Sequence, residues 1–161
     1  MVAILTASLL LLLWSAQAGA QAAGPPPAPA SLRSHLRGET LTPIATVGAL
    51  PAGVRTALQG LFKEKTLALA EPGAPFQVTD VVMGKPLPFR RLIAAGCSSD
   101  HCVVYYERGG IDHSFRIVVF TLDGATARLE YGGLSAGGLA TLDAVKGALL
   151  EGRVIGQTEF W

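Results

Sequence analysis

A chain of 161 residues with 13 Lys and Arg against 12 Asp and Glu is nearly neutral, at a formal net charge of +1, and it carries no basic stripe, which excludes nucleic acid as an expected partner. Half of the residues are hydrophobic and the mean hydropathy is +0.40, but both figures are raised by an apolar N-terminal leader, so neither argues for a membrane protein. The length is that of one small domain.

Residues 2–14 are almost unbroken apolar, yet short of the roughly 20 residues that a membrane span requires. Ala16, Ala18, Ala20 and Ala22 follow in Ala-x-Ala arrangement. This pattern predicts a signal peptide over residues 1–22, cleaved after Ala20 or Ala22, and a periplasmic or secreted protein with no membrane insertion after cleavage. No Lys or Arg precedes Arg33, so the terminal amine alone supplies the positive charge usual at the start of such a leader. Residues 23–49 open on Pro25-Pro26-Pro27 and show no sustained period. They are expected to form an extended, Pro-rich tether, with a first edge strand over 42–47.

The domain proper is expected over residues 50–161. After Pro51, the residues Val54, Ala57, Leu58, Leu61 and Phe62 recur at spacings of three and four, the mark of a helix with one buried face. Residues 76–83 read as a β run, ended by Pro86 and Pro88. From Phe89 to Tyr131 four β-rich runs are separated by the Cys97 to Cys102 corner, by Gly109-Gly110 and by Asp123-Gly124, the last being the strongest hairpin signal in the chain. A last helix is expected over 139–150, with Leu142, Val145 and Leu149 as its apolar stripe and Gly152 as its stop. No room exists within the meander for the crossovers of about a dozen residues that parallel strands need. The predicted fold class is therefore α+β, an antiparallel β-meander sheet packed against an N-terminal and a C-terminal helix.

Cys97 and Cys102 in an exported chain predict one disulfide at an exposed corner. Zinc would need two further ligands, and only His101 stands beside both sulfurs, so neither a metal nor another cofactor is expected. One strand length of about 20 Å separates His101 from His113, too far for a shared metal or proton relay. Glu107, Arg108, Asp112 and His113 gather at the opposite end of the meander from His101 and Asp123. A hydrolase using Glu107, Asp112 and His113 is one reading of that end; a solvated hairpin mouth is the preferred one, because a Gly-Gly turn offers no burial to shift a pKa. Ser98 and Ser99 lie next to His101 without the Gly-x-Ser-x-Gly elbow of a serine hydrolase, and His35 falls in the predicted tether.

The six-residue loop Cys97-Ser98-Ser99-Asp100-His101-Cys102 resembles that of the periplasmic inhibitors of vertebrate lysozyme, which runs Cys-Lys-Pro-His-Asp-Cys and inserts its histidine into the enzyme's cleft. Spacing matches; the order of His and Asp is reversed, and Ser-Ser stands in place of Lys-Pro. The resemblance implies a protein-binding domain acting through Ser98, Ser99, Asp100 and His101, and a lysozyme as its partner. The expected function is therefore inhibition of a cell-wall-degrading enzyme, without catalysis by this chain. A structural or accessory role in the envelope is the alternative. Oligomeric state is left open.

Overall fold

The computed structural model describes residues 26–82 and 84–157. The predicted signal peptide, the start of the predicted tether and Met83 lie outside the described residues. The order of elements is α1 (Ala30–Gly38), β1 (Thr42–Ile44), α2 (Ala52–Phe62), β2 (Arg90–Cys97), β3 (His101–Arg108), β4 (Ser114–Asp123), β5 (Thr126–Ser135), α3 (Leu142–Leu150) and β6 (Ile155–Gly156). The strands form one sheet in the order β1-β2-β3-β4-β5-β6, each pair antiparallel. This is the predicted α+β meander, with the edge strand expected over 42–47 formed at Thr42–Ile44 and a further short strand, β6, at the other edge.

Local chemistry explains the elements. Val103-Val104-Tyr105-Tyr106 and Ile117-Val118-Val119-Phe120 are β-branched and aromatic runs, which suit a pleated, packed surface. Gly124 and Ala125 close β4 onto β5, with Gly124 at φ +55°, a conformation that costs glycine nothing. Pro51 stands directly before α2 at φ −50°, already helical in φ and lacking only the N–H that a helix start leaves unused. At the start of α3 the Thr141 hydroxyl accepts from the Ala144 N–H at 3.2 Å.

Successive residues of a strand point to opposite faces. Val103, Tyr105, Ile117, Val119 and Tyr131 pack beneath Leu32 and Leu36 of α1 and Val145 and Leu149 of α3. Val104, Tyr106, Val118 and Phe120 pack beneath Val54, Leu58 and Phe62 of α2. The two expected helices, α2 and α3, thus cover opposite faces, giving three layers.

Two expectations are corrected. The segment expected to be a tether is part of the core: Ala28, Leu32 and Leu36 lie four residues apart, make one stripe, and are buried against the α3 side of the sheet. Its beginning is also stitched down, since Gly156 N–H donates to the Pro26 carbonyl at 3.1 Å. The expected β run at 76–83 forms no strand in its described residues, 76–82. The outer edge of β2 is already taken, by β1 at Ala95 to Cys97 and by a bridge from Ala70 at Arg91. Residues 77 and 78 instead cross the β3–β4 turn, where the Gly110 N–H donates to Val78 O at 2.9 Å. A side chain at Gly109 would collide with the Gln77 carbonyl, so glycine is required there for the close approach.

If α1 is core, truncating its stripe has a core-sized effect. Leu36→Ala is expected to lower the unfolding free energy by about 2–5 kcal/mol in a denaturant titration, whereas a change within ~0.5 kcal/mol, the usual surface value, would restore the tether.

Candidate functional site

β2 and β3 meet at the corner formed by residues 98–100. Cys97 and Cys102 face each other across it and are disulfide-bonded, with Cα atoms 4.0 Å apart. Because neighbouring strand residues diverge, Cys102 points beneath α2, where it is fully buried, and His101 points to the α1 side, where it is 5% exposed.

Each ring nitrogen of His101 meets a carboxylate. Glu39, directly after α1, places Oε1 at 2.6 Å from Nδ1, and Glu130 of β5 places Oε2 at 3.1 Å from Nε2. The Ser98 hydroxyl donates to Glu39 Oε2 at 2.5 Å and accepts the backbone N–H groups of Asp100 and His101 at 3.1 and 2.9 Å. Thr121 Oγ1 donates to Glu130 Oε2 at 2.8 Å. Lys146 of α3 donates to the Glu39 carbonyl, and the His35 ring lies 6.1 Å from that of His101. His35, expected in a solvated tether, is part of α1 beside this cluster.

Of the four expected contact residues, only Ser99 and Asp100 are exposed; Ser98 is half-buried and His101 turns inward. The expectation of an exposed His101 is corrected, for a definite reason: strand alternation puts residue 101 on the α1 face, and α1 covers that face. The disulfide likewise sits partly in the α2-side core rather than standing free at the corner.

At the far end of the sheet, Glu107 is 5% exposed. Arg91 Nε donates to its Oε1 at 2.6 Å, and His113 Nε2 lies 3.2 Å from its Oε2. Arg91 also donates to the Ala74 carbonyl at 3.1 Å and stacks over Phe76 at 4.5 Å. The expectation that a Gly-Gly turn leaves this end solvated is corrected for Glu107, whose buried carboxylate is held between Arg91 and His113. A cleft of about 390 Å³ opens beside it, lined by Arg91, Tyr105, Glu107, Phe115 and Leu139 among others, with no serine, threonine or cysteine in its wall. Asp112 does not join Glu107 and His113: its side chain is 74% exposed and its nearest cation is Arg116, 3.9 Å away on the other face. Among the described residues no group of three His, Cys, Asp or Glu is placed to hold a metal ion.

No protein-family model, characterised protein or solved structure matches the chain. Among the described residues no helix is long and apolar enough to cross a membrane, and the Cys97–Cys102 bond suits an oxidising compartment.

Two measurements probe this arrangement. Removing the Glu39 carboxylate leaves His101 Nδ1 and the Ser98 hydroxyl short of a partner, so Glu39→Ala is expected to cost about 1–3 kcal/mol of stability, and Asp100→Ala less than ~0.5 kcal/mol; equal losses would deny the corner its internal anchor. All three tyrosines of the chain are shifted upward by burial, Tyr106 to about 12. A phenol with a higher pKa folded than unfolded contributes stability that is complete below its unfolded value and lost as pH rises through the folded one. Unfolding free energy is therefore expected to fall from pH 10 towards about 12, less steeply in Tyr106→Phe; tyrosinate absorbance that appears together in native and denatured protein would contradict the shift.

Proposed function

We propose that the chain is an exported binding module rather than an enzyme, and that it meets a protein partner through the disulfide corner, with Ser99 and Asp100 as the contact residues. The observation that carries this reading is how completely the corner is held from within. Besides the disulfide, Ser98 N–H donates to His101 O at 2.8 Å and Leu122 N–H to Asp100 O at 2.7 Å, while Glu39 and Glu130 grip the His101 ring. A tip ordered before docking loses little conformational entropy on binding.

His101 is then the anchor of the loop, and the histidine insertion implied by the lysozyme-inhibitor resemblance does not carry over to it. Asp100 is the ionic group left at the tip, which favours a cationic surface on the partner. A cell-wall-degrading enzyme remains the partner class that the resemblance supplies, engaged through cationic groups beside its cleft rather than through its catalytic carboxylates. The absence of catalysis is supported at the other end of the sheet, where Arg91 already engages the Glu107 carboxylate and Asp112 stands apart.

Binding and inhibition of a small panel of lysozymes by the purified protein test this. Asp100→Ala is expected to weaken binding about tenfold, equivalent to roughly 1.4 kcal/mol, with the unfolding transition unchanged. No binding anywhere in the panel would remove the cell-wall enzyme as partner, and binding indifferent to both Asp100→Ala and Ser99→Ala would move the contact surface off the corner.

A further inference from the structure

The α2 side of the sheet ends in polar residues. α2 stops at Phe62, whose ring packs on Tyr106 at 5.3 Å and beneath the Arg90 guanidinium at 4.0 Å. Beyond it, Tyr106 is paired with Arg116, and Arg108 with Ser114, in adjacent rungs of the β3–β4 ladder. All four side chains therefore leave the same face. Directly opposed residues have Cβ atoms about 5 Å apart and successive same-face residues about 7 Å, so the four form a compact square.

Their donors are buried without hydrogen-bond partners. Among the described residues the Tyr106 hydroxyl, the Ser114 hydroxyl and both Nε and Nη2 of Arg116 are inaccessible and make no hydrogen bond; Arg116, at 0% exposed, donates from Nη1 to Gln157 Oε1, and its Nη2 has only a long ion pair with Asp112. Nε and Nη2 are the edge of a guanidinium that binds a carboxylate or phosphate in two parallel hydrogen bonds. Arg108 adds a half-buried guanidinium that forms no ion pair with a described residue. The nearby carboxylates are committed or weakly engaged: Glu64 pairs with Arg90 at 2.7 Å, Asp80 accepts the Ile111 N–H at 2.7 Å, and the exposed Asp112 makes only a long ion pair, at 3.9 Å, with Arg116 Nη2.

We propose that Tyr106, Arg108, Ser114 and Arg116 form a binding site for a small oxyanion, the carboxylate or phosphate group of a ligand. An ionised carboxylate offers about four acceptor sites, matching the two guanidinium hydrogens and two hydroxyls held here. Burial pushes the Tyr106 phenol up to about 12, so at neutral pH it is a donor, and burial lowers the Arg116 pKa although a guanidinium in a protein keeps its proton and stays a cation. A cleft of about 470 Å³, lined by Glu64, Asp80, Arg90, Arg108 and Asp112 among others, meets the square at Arg108 alone.

Thermal unfolding and calorimetric titration of the purified chain test the site, using acetate and phosphate as probes against chloride at the same ionic strength. Anything that binds only the native state raises its melting temperature with ligand concentration. Native protein is expected to respond to acetate or phosphate beyond chloride, and the stronger of the two identifies the source of the oxyanion. Binding should weaken at least about tenfold in Arg116→Met and again in the milder Tyr106→Phe, Ser114→Ala pair, which keeps the fold if the first variant does not. No response beyond chloride, as ordered water on the four donors would give, overturns the proposal, and so does a response equal in native and variant proteins.

Discussion

Strand β3 leaves itself no face for water, and the architecture follows from that. Every residue from His101 to Glu107 is buried, as is β4 from Arg116 to Phe120. Antiparallel sheets commonly keep one wet face and show it as alternation of apolar and polar residues; here the alternation is missing from the central pair. A layer is required on each side. α2 supplies one, but α3 alone, at nine residues, covers only part of the other. The remaining area is closed by α1, which is why a segment opening on three prolines is drawn into the core.

The same strand period sorts the polar residues into separate places. Neighbours in sequence are parted by the thickness of the sheet: His101 from Cys102, Tyr105 from Tyr106, Glu107 from Arg108. The α1 side thus receives a carboxylate–histidine cluster at each end, around His101 and around Glu107, and the α2 side receives the disulfide at one end and the guanidinium–phenol group at the other. Asp112 and His113, adjacent in the turn between β3 and β4, pair with Arg116 and with Glu107 respectively, so Glu107 and Asp112 do not come together.

The four meander strands, α2 and α3 were legible because each has a local signature: β-branched runs bounded by Gly-Gly and Asp-Gly, or apolar residues three and four apart. α1 has a signature too, in Ala28, Leu32 and Leu36, but it begins inside a Pro-rich stretch, has no capping side chain and carries no acidic residue in its first turn, so its stripe is masked by the neighbouring prolines. Residues 76–82 failed in the opposite sense. Their β propensity is real, yet a strand needs an unpaired edge, and whether β2 offers one is decided by chain elsewhere. The chemistry of His101 was visible in sequence, while its direction depended on a helix that was not. Arg116 gave a readable signal as well, a lone cation within the run Phe115 to Phe120, where a buried charge must be held by something.

The corner shows how little a short disulfide says by itself. Closing so small a loop constrains the unfolded chain by only roughly 2 kcal/mol, and it joins residues that the β2–β3 register already places opposite one another. Glu39 does more to fix where the corner points. Its side chain binds Ser98 and His101, its carbonyl takes Lys146 from α3, and its own position is set by α1. Through His101 the link continues to Glu130 on β5 and from it to Thr121 on β4. The disulfide shapes the loop locally, whereas the carboxylate–imidazole bridge fixes it relative to the three layers. A partner that touches only Ser99 and Asp100 therefore meets a surface whose geometry is dictated by the packing of α1, some sixty residues earlier in the chain.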